Sequence, residues 1–271
     1  MYPDRLPVKV SRIKLTIAYD GTAYHGWQKQ KSGEATVQAA VECAIEKILG
    51  APVEITGASR TDAGVHALGQ VAHFDADSNI PPERFRDAIN GVLPPDVRIM
   101  KSEPAPDYFN ARFDAVRKTY RYSVSTAELE NPLERLYAHH YLGKMDAEPM
   151  KSAARHLLGR HDFISFAKEA DREKNSVREI YRADVLEDGD RILFEIEGNG
   201  FLYNMVRAIA GTLLEVGGGR RKPEWVRDVI AARDRCAAGP TLPAKGLCLM
   251  EIKYPGDAGL KPDDAGAERI E

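Results

Sequence analysis

The chain has 271 residues, a formal charge of −3 and 43% hydrophobic residues, room for two modest domains or one large one in an ordinary globular composition. No run of about 18 apolar residues exists, which excludes a membrane-spanning helix, and the opening MYPDRLPVKVSRIK lacks the continuous apolar core expected of a secretory leader. Cys43, Cys236 and Cys248 stand far apart with no CxxC pair, which argues against a disulfide framework or zinc knuckle and fits a reducing cytoplasm.

In chain order, Ile13, Leu15, Ile17 and Tyr19 alternate with Lys14, Thr16 and Ala18, the period of a strand with one buried face, and Asp20-Gly21 turns the chain. Thr36 stands where a helix N-cap belongs. Val37, Ala40, Val41, Ala44, Ile45, Ile48 and Leu49 follow at helical spacing, and Gly50 stops them. Strands are predicted near residues 53–58 and 70–76, then a helix from Pro81-Pro82 to Asn90 with Phe85 and Ile89 inward, then a strand over residues 97–103. Pro104, Pro106 and Asp107 break the pattern. A strand over residues 118–126 opens a second series, followed by a helix capped by Asp146, running through Leu158 and ended by Gly159. Residues 179–187 and 191–197 form a hairpin across Asp188-Gly189. Helices at 201–216 and 223–233 and a strand at 247–253 complete the series. Cys43 and Cys248 lie in apolar-periodic stretches and are expected as small core residues.

The same element order occurs twice. The expected fold class is therefore α+β: two tandem split β-α-β (ferredoxin-like) halves, residues 1–105 and 106–255, whose sheets join with helices on one face and leave a central cleft. From Gly256 to the end, five carboxylates face two cations, which accounts for the whole formal charge. This tail, rich in Gly, Asp and Ala, is expected to be disordered. The body is neutral and can still carry a basic groove, because phosphate binding needs local clustering of charge.

Residues 58–66, ASRTDAGVH, are the most unusual stretch. They lie between two predicted strands, where a loop is better placed to serve a site than to fill a core. Arg60 and Asp62 are two apart and share a face of an extended segment; an arginine there keeps the carboxylate ionised and able to act as nucleophile or base. A structural ion pair anchoring the loop is the alternative. His66 and His73 match no zinc spacing and are expected as hydrogen-bonded polar histidines. Tyr120, Tyr122 and Val124 fit the buried face of a strand. Arg207, on an apolar helix, needs a partner or must reach out to solvent from the helix edge.

GASRTDAGVHALGQVAHFD (57–75) closely resembles the signature of the TruA family of tRNA pseudouridine synthases. So, in the same order, do AYDGTAYHGWQKQ (18–30), FNARFDAVRKTYRY (109–122), LLGRHDFISF (157–166), NGFLYNMVRAIAGTLLEVG (199–217) and KGLCLMEIKYP (245–255). The resemblance implies that Asp62 is the catalytic aspartate, Arg60 the base-flipping arginine, Tyr120 the active-site tyrosine that packs on uracil, and Arg207 the partner of Asp62. It implies conversion of uridine to pseudouridine at positions 38, 39 and 40 in the anticodon stem-loop of tRNA, held in the central cleft, by a homodimer. The isomerisation gains and loses no atoms and involves no redox change, so no cofactor and no metal are expected. Arg112, Arg117, Lys118, Arg121, Arg155, Arg160, Lys168, Arg172, Arg178, Arg220, Arg221 and Lys222 could together meet phosphates. Two rivals remain. A non-catalytic RNA-binding protein on the same scaffold would have no use for a carboxylate facing phosphates. A hydrolase would usually need a second acid.

Overall fold

The structure is a computed structural model that describes residues 10–167 and 175–257. The tail from residue 258 on lies outside the described residues, as do Lys168 and Arg172. The described chain is mixed α+β with five α-helices. It falls into two compact units, one running to Ala115 and taking in Tyr254–Gly256, the other formed by Val116–Lys253.

In the first unit, β1 (Val10–Tyr19) buries Ile13, Leu15, Ile17 and Tyr19, as their alternation dictates. α1 (Val37–Leu49) begins at Thr36, whose side chain accepts from the Ala39 N–H. It ends at Gly50, which adopts φ +72° and donates its N–H to the Glu46 carbonyl. The buried stripe of α1 runs through Val37, Val41, Ala44 and Ile45. Cys43, expected in the core, is exposed: it stands two residues past Val41, about 200° around the helix. Cys248, on the last strand of the second unit, is only half-buried. The strand predicted at 53–58 contracts to β2 (Thr56–Gly57), while β3 (His66–Asp77) begins earlier than its alternation suggested. A 3-10 turn at Pro82–Arg84 leads into α2 (Phe85–Asn90), with Phe85 and Ile89 inward, and β4 (Val97–Ala105) follows. The sheet order is β4-β1-β3-β2, antiparallel throughout. Phe74 and Phe85 meet edge to face at 5.4 Å in its core.

β2 is short for a physical reason. The Ile55 N–H donates to Glu42 Oε1 at 3.1 Å, and Gln38 Nε2 donates to the Ile55 carbonyl at 3.1 Å, so side chains of α1 take the groups a ladder would use. At the other end Gln70 takes both backbone groups of Ser59, accepting from its N–H at 3.1 Å and donating to its carbonyl at 2.6 Å.

The second unit contains β5 (Arg117–Ser125), β6 (His139–His140), α3 (Ala147–Ala154), β7 (Gly159–Asp162), β8 (Val177–Asp188), β9 (Arg191–Gly198), α4 (Met205–Gly217), α5 (Trp225–Ala232) and β10 (Leu247–Lys253). Its strands are ordered β10-β5-β9-β8-β7, with β6 added parallel to β5. Asp146 caps α3 as expected. The helix gives way to a 3-10 turn at Arg155–Leu157, and Gly159 (φ +91°) opens a strand that periodicity did not reveal. The apolar helix predicted from 201 starts at Met205, because Asn204 adopts φ +63° and cannot continue a right-handed helix. No helix among the described residues is long and apolar enough to cross a membrane.

Candidate active site

Asp62 sits in the irregular stretch between β2 and β3, and its neighbours are held nearly one by one. The Ala58 N–H donates to the Val71 carbonyl at 2.8 Å, and Ser59 is clasped by Gln70. The Thr61 hydroxyl meets the Tyr19 hydroxyl at 2.7 Å, and its carbonyl accepts from the Trp27 N–H at 3.1 Å. The Gly64 N–H donates to the Tyr24 carbonyl at 3.2 Å, and the Val65 N–H donates to the Asp62 carbonyl at 3.1 Å. Ser59, Thr61 and Val65 are buried, Asp62 is half-buried, and Arg60 and Ala63 are exposed. The result is a carboxylate on a rigid support rather than on a free loop, which is what a reacting group needs.

The support comes from residues 21–27, and it explains their glycines. A Cβ on Gly21 would stand 2.0 Å from the Val65 carbonyl oxygen, and one on Gly26 (φ +88°) 2.6 Å from that of Thr61. The two backbones approach more closely than any side chain allows. Trp27, 1% exposed, fills the space over Gly57, where a Cβ would lie 2.3 Å from the indole nitrogen.

Both histidines are hydrogen-bonded through Nδ1 as acceptor. His66 accepts from the Gly21 N–H at 3.0 Å and His73 from the Ala111 N–H at 3.1 Å. Burial, and then the Arg12 charge, hold His73 below the ordinary histidine range. Among the described residues no group of three His, Cys, Asp or Glu side chains could hold a metal ion.

In the second unit Tyr120 lies on β5 opposite Leu249 of β10 and Ile196 of β9, and its ring meets Phe201 edge to face at 5.2 Å. Tyr120, Tyr122 and Val124 form one buried face. Tyr122 donates its hydroxyl to the Pro243 carbonyl at 2.8 Å; burial raises its pKa far above the ordinary tyrosine value, with the Arg207 charge opposing. Arg207, half-buried near the start of α4, donates from Nε to the Leu242 carbonyl at 2.7 Å and from Nη1 to Asn204 Oδ1 at 2.8 Å.

Several of the basic residues are already matched to carboxylates. Arg117 meets Glu197 at 2.7 Å, Arg121 meets Glu195 at 2.5 Å, and Arg220 meets Glu215 at 2.7 Å. Burial would push the Glu197 carboxyl up, but Arg117 and Lys253 outweigh it and leave it below the usual glutamate range. Arg178 is 8% exposed and donates to the Asn175 and Val177 carbonyls. Arg112, Arg155, Arg160, Arg221 and Lys222 are exposed.

Sequence patterns gave no hint of Gln70, Trp27 or Asn204 as supports. Gln70 lies inside the unusual 57–75 motif, yet only its position beside Ser59 shows what its amide does, and helical periodicity ran straight through Asn204.

A family model described as tRNA pseudouridine synthase matches residues 15–114 and 153–255. The chain is 45% identical over 243 residues to "tRNA pseudouridine synthase A 2" of Clostridium tetani, covering 89% of this chain and 98% of that protein. It is 47% identical over 242 residues to the protein of the same name from Clostridium perfringens, covering 89% and 99%. With "tRNA pseudouridine synthase A" of Bacillus pumilus it shares 46% identity over 245 residues, covering 90% and 99%.

Proposed function

Since the chain belongs to the tRNA pseudouridine synthase family, we propose that it isomerises uridine to pseudouridine at positions 38, 39 and 40 in the anticodon stem-loop of tRNA, with Asp62 as the carboxylate that acts on the target nucleotide. The observation that carries this is the braced, half-buried Asp62 at the centre of the 57–75 motif, with Tyr24, Thr61 and Gln70 fixing the backbone around it.

In the reaction the C1′–N1 bond breaks, uracil rotates, and a C1′–C5 bond forms; C5 loses a proton and N1 gains one. Cleavage develops positive charge on the sugar, which an ionised carboxylate stabilises or captures, as in retaining glycosidases. Attack on the base and removal of a sugar proton are the other roles open to the same group. A stacked uridine is out of reach, so the nucleotide is turned out, and the exposed Arg60 is suited to occupy the vacated space and touch phosphate. Tyr120 offers a ring to uracil, worth about 1–3 kcal/mol by stacking. Arg207 belongs to the proposal as the cation that pairs with Asp62. Tandem split β-α-β halves with a central cleft, a homodimer and a cytoplasmic location complete it. The strand orders β4-β1-β3-β2 and, with the short β6 and β7 set aside, β10-β5-β9-β8 support the repeat, each running fourth, first, third, second.

Release of tritium from tRNA carrying 5-tritiated uridine tests the assignment. Wild type should release the label and Asp62→Ala should not; equal release by both overturns it. Free uracil among the products would instead identify a hydrolase, and tRNA binding without any release by the wild type would identify a binding protein.

A further inference from the structure

We propose that Asn204 is a positioning residue for Arg207, and that its left-handed backbone and side-chain amide exist to aim the guanidinium. This rests on the assignment of Arg207 above.

Among the described residues Asn204 is one of two non-glycine positions with positive φ, at φ +63° and ψ 1°. It stands at the N-cap of α4, a place where asparagine ordinarily takes an extended backbone and accepts from an N–H of the first turn. Here its side chain caps no helix N–H. Its Oδ1 accepts from Arg207 Nη1 at 2.8 Å instead, so the residue best suited to cap the helix is turned toward the charge three positions on. A strained backbone combined with a forfeited cap stabilises nothing by itself, and such outliers gather where geometry serves function.

The other side of the fork is held as firmly. Arg207 Nε donates to the Leu242 carbonyl, and the Leu242 N–H donates back to the Arg207 carbonyl at 3.3 Å. The segment carrying Leu242 lies tight on α4. The Gly239 N–H donates to the Thr212 hydroxyl at 2.9 Å, and a Cβ on Gly211 would stand 1.8 Å from the Pro240 carbonyl oxygen. Asn204 and Leu242 thus hold two nitrogens of one planar group, which sets its plane and direction, and a planar fork transmits a small error in aim to whatever it faces.

Three variants separate this from a purely structural turn. Asn204→Gly keeps the left-handed backbone without strain and removes the amide. Asn204→Asp keeps an acceptor oxygen in the same place. Arg207→Lys removes the fork. Single-turnover and steady-state tritium release should show Asn204→Gly slowed about 10- to 100-fold in kcat, with KM for tRNA and the urea midpoint unchanged. Asn204→Asp should recover most of that loss. Asn204→Gly added to Arg207→Lys should be no slower than Arg207→Lys alone. Wild-type turnover by Asn204→Gly, or effects of the two substitutions that multiply, overturns the positioning role alone. Wild-type turnover by Arg207→Lys overturns the assignment of Arg207 and this inference with it.

Discussion

Gly21 and Gly26 illustrate how single positions decide the site. Each lies where a Cβ would strike a carbonyl of the Asp62 loop, so Gly21→Ala must push residues 61–65 outward. Overpacking of this kind costs about 1–3 kcal/mol, and urea denaturation should show that loss together with a fall in turnover larger than the stability change explains. Two histidines contribute to the loss of stability on the acid side. His73 is held below the ordinary range by burial and the Arg12 charge, and His139 by burial and the Lys245 charge. The unfolded chain binds protons that these folded rings refuse, so stability falls as pH drops below about 6.5, until the folded-state values are passed. Asp75 adds its loss lower. The Arg12 hydrogen bond holds its carboxyl below the usual range, so its contribution is intact above about pH 4 and vanishes as pH falls through its folded value. Denaturation midpoints at about pH 7 and about pH 5.5 should differ less in His73→Asn, which keeps an acceptor for the Ala111 N–H, than in wild type.

Elements show where periodicity suffices and where it does not. Alternation over residues 13–19 and the cap at Thr36 were legible because each depends on neighbours a few residues away. β2 was over-read because Val53 and Ile55 look like strand residues, while Glu42 and Gln38 claim the backbone of Ile55 from across the unit. Glu42 is 5% exposed and also accepts from Gln38 Nε2 and Lys29 Nζ, both at 2.9 Å. Glu42→Leu should therefore leave a buried N–H unmatched, at about 1–3 kcal/mol, and release residues 53–55, visible as faster amide exchange there. Gln70→Leu should act in the same way on Ser59, with an added loss of turnover because the freed segment leads directly to Asp62. Thr36→Ala, by contrast, should cost about 1 kcal/mol and leave turnover unchanged.

At the scale of the molecule, the chain returns to its first unit after β10. The Tyr254 hydroxyl donates to the Ala111 carbonyl at 2.7 Å, and its ring lies 5.0 Å from Phe109 and 4.7 Å from Lys14 Nζ. Tyr254→Ala should cost about 3–5 kcal/mol, and Tyr254→Phe about 1 kcal/mol for the hydrogen bond, both read from urea denaturation. Binding of the proposed tRNA substrate should weaken steeply with salt. Arg112 and Arg160, both exposed, are better candidates for that slope than Arg121, whose guanidinium meets Glu195. Alanine at either should weaken binding and reduce its salt dependence, whereas alanine at Arg121 should chiefly disturb Glu195.

By itself the sequence determined the alternating strands, the capped helix α1 and the motif around Asp62, because periodicity, caps and turn residues are local properties of a chain. Only the tertiary structure decided that β2 is two residues long, that Gln70 clasps Ser59, that glycines at 21 and 26 let two loops touch, and that Asn204 turns left-handed toward Arg207. Each of these depends on a hydrogen bond or a close approach whose partner is set by packing, and packing leaves no period in the sequence.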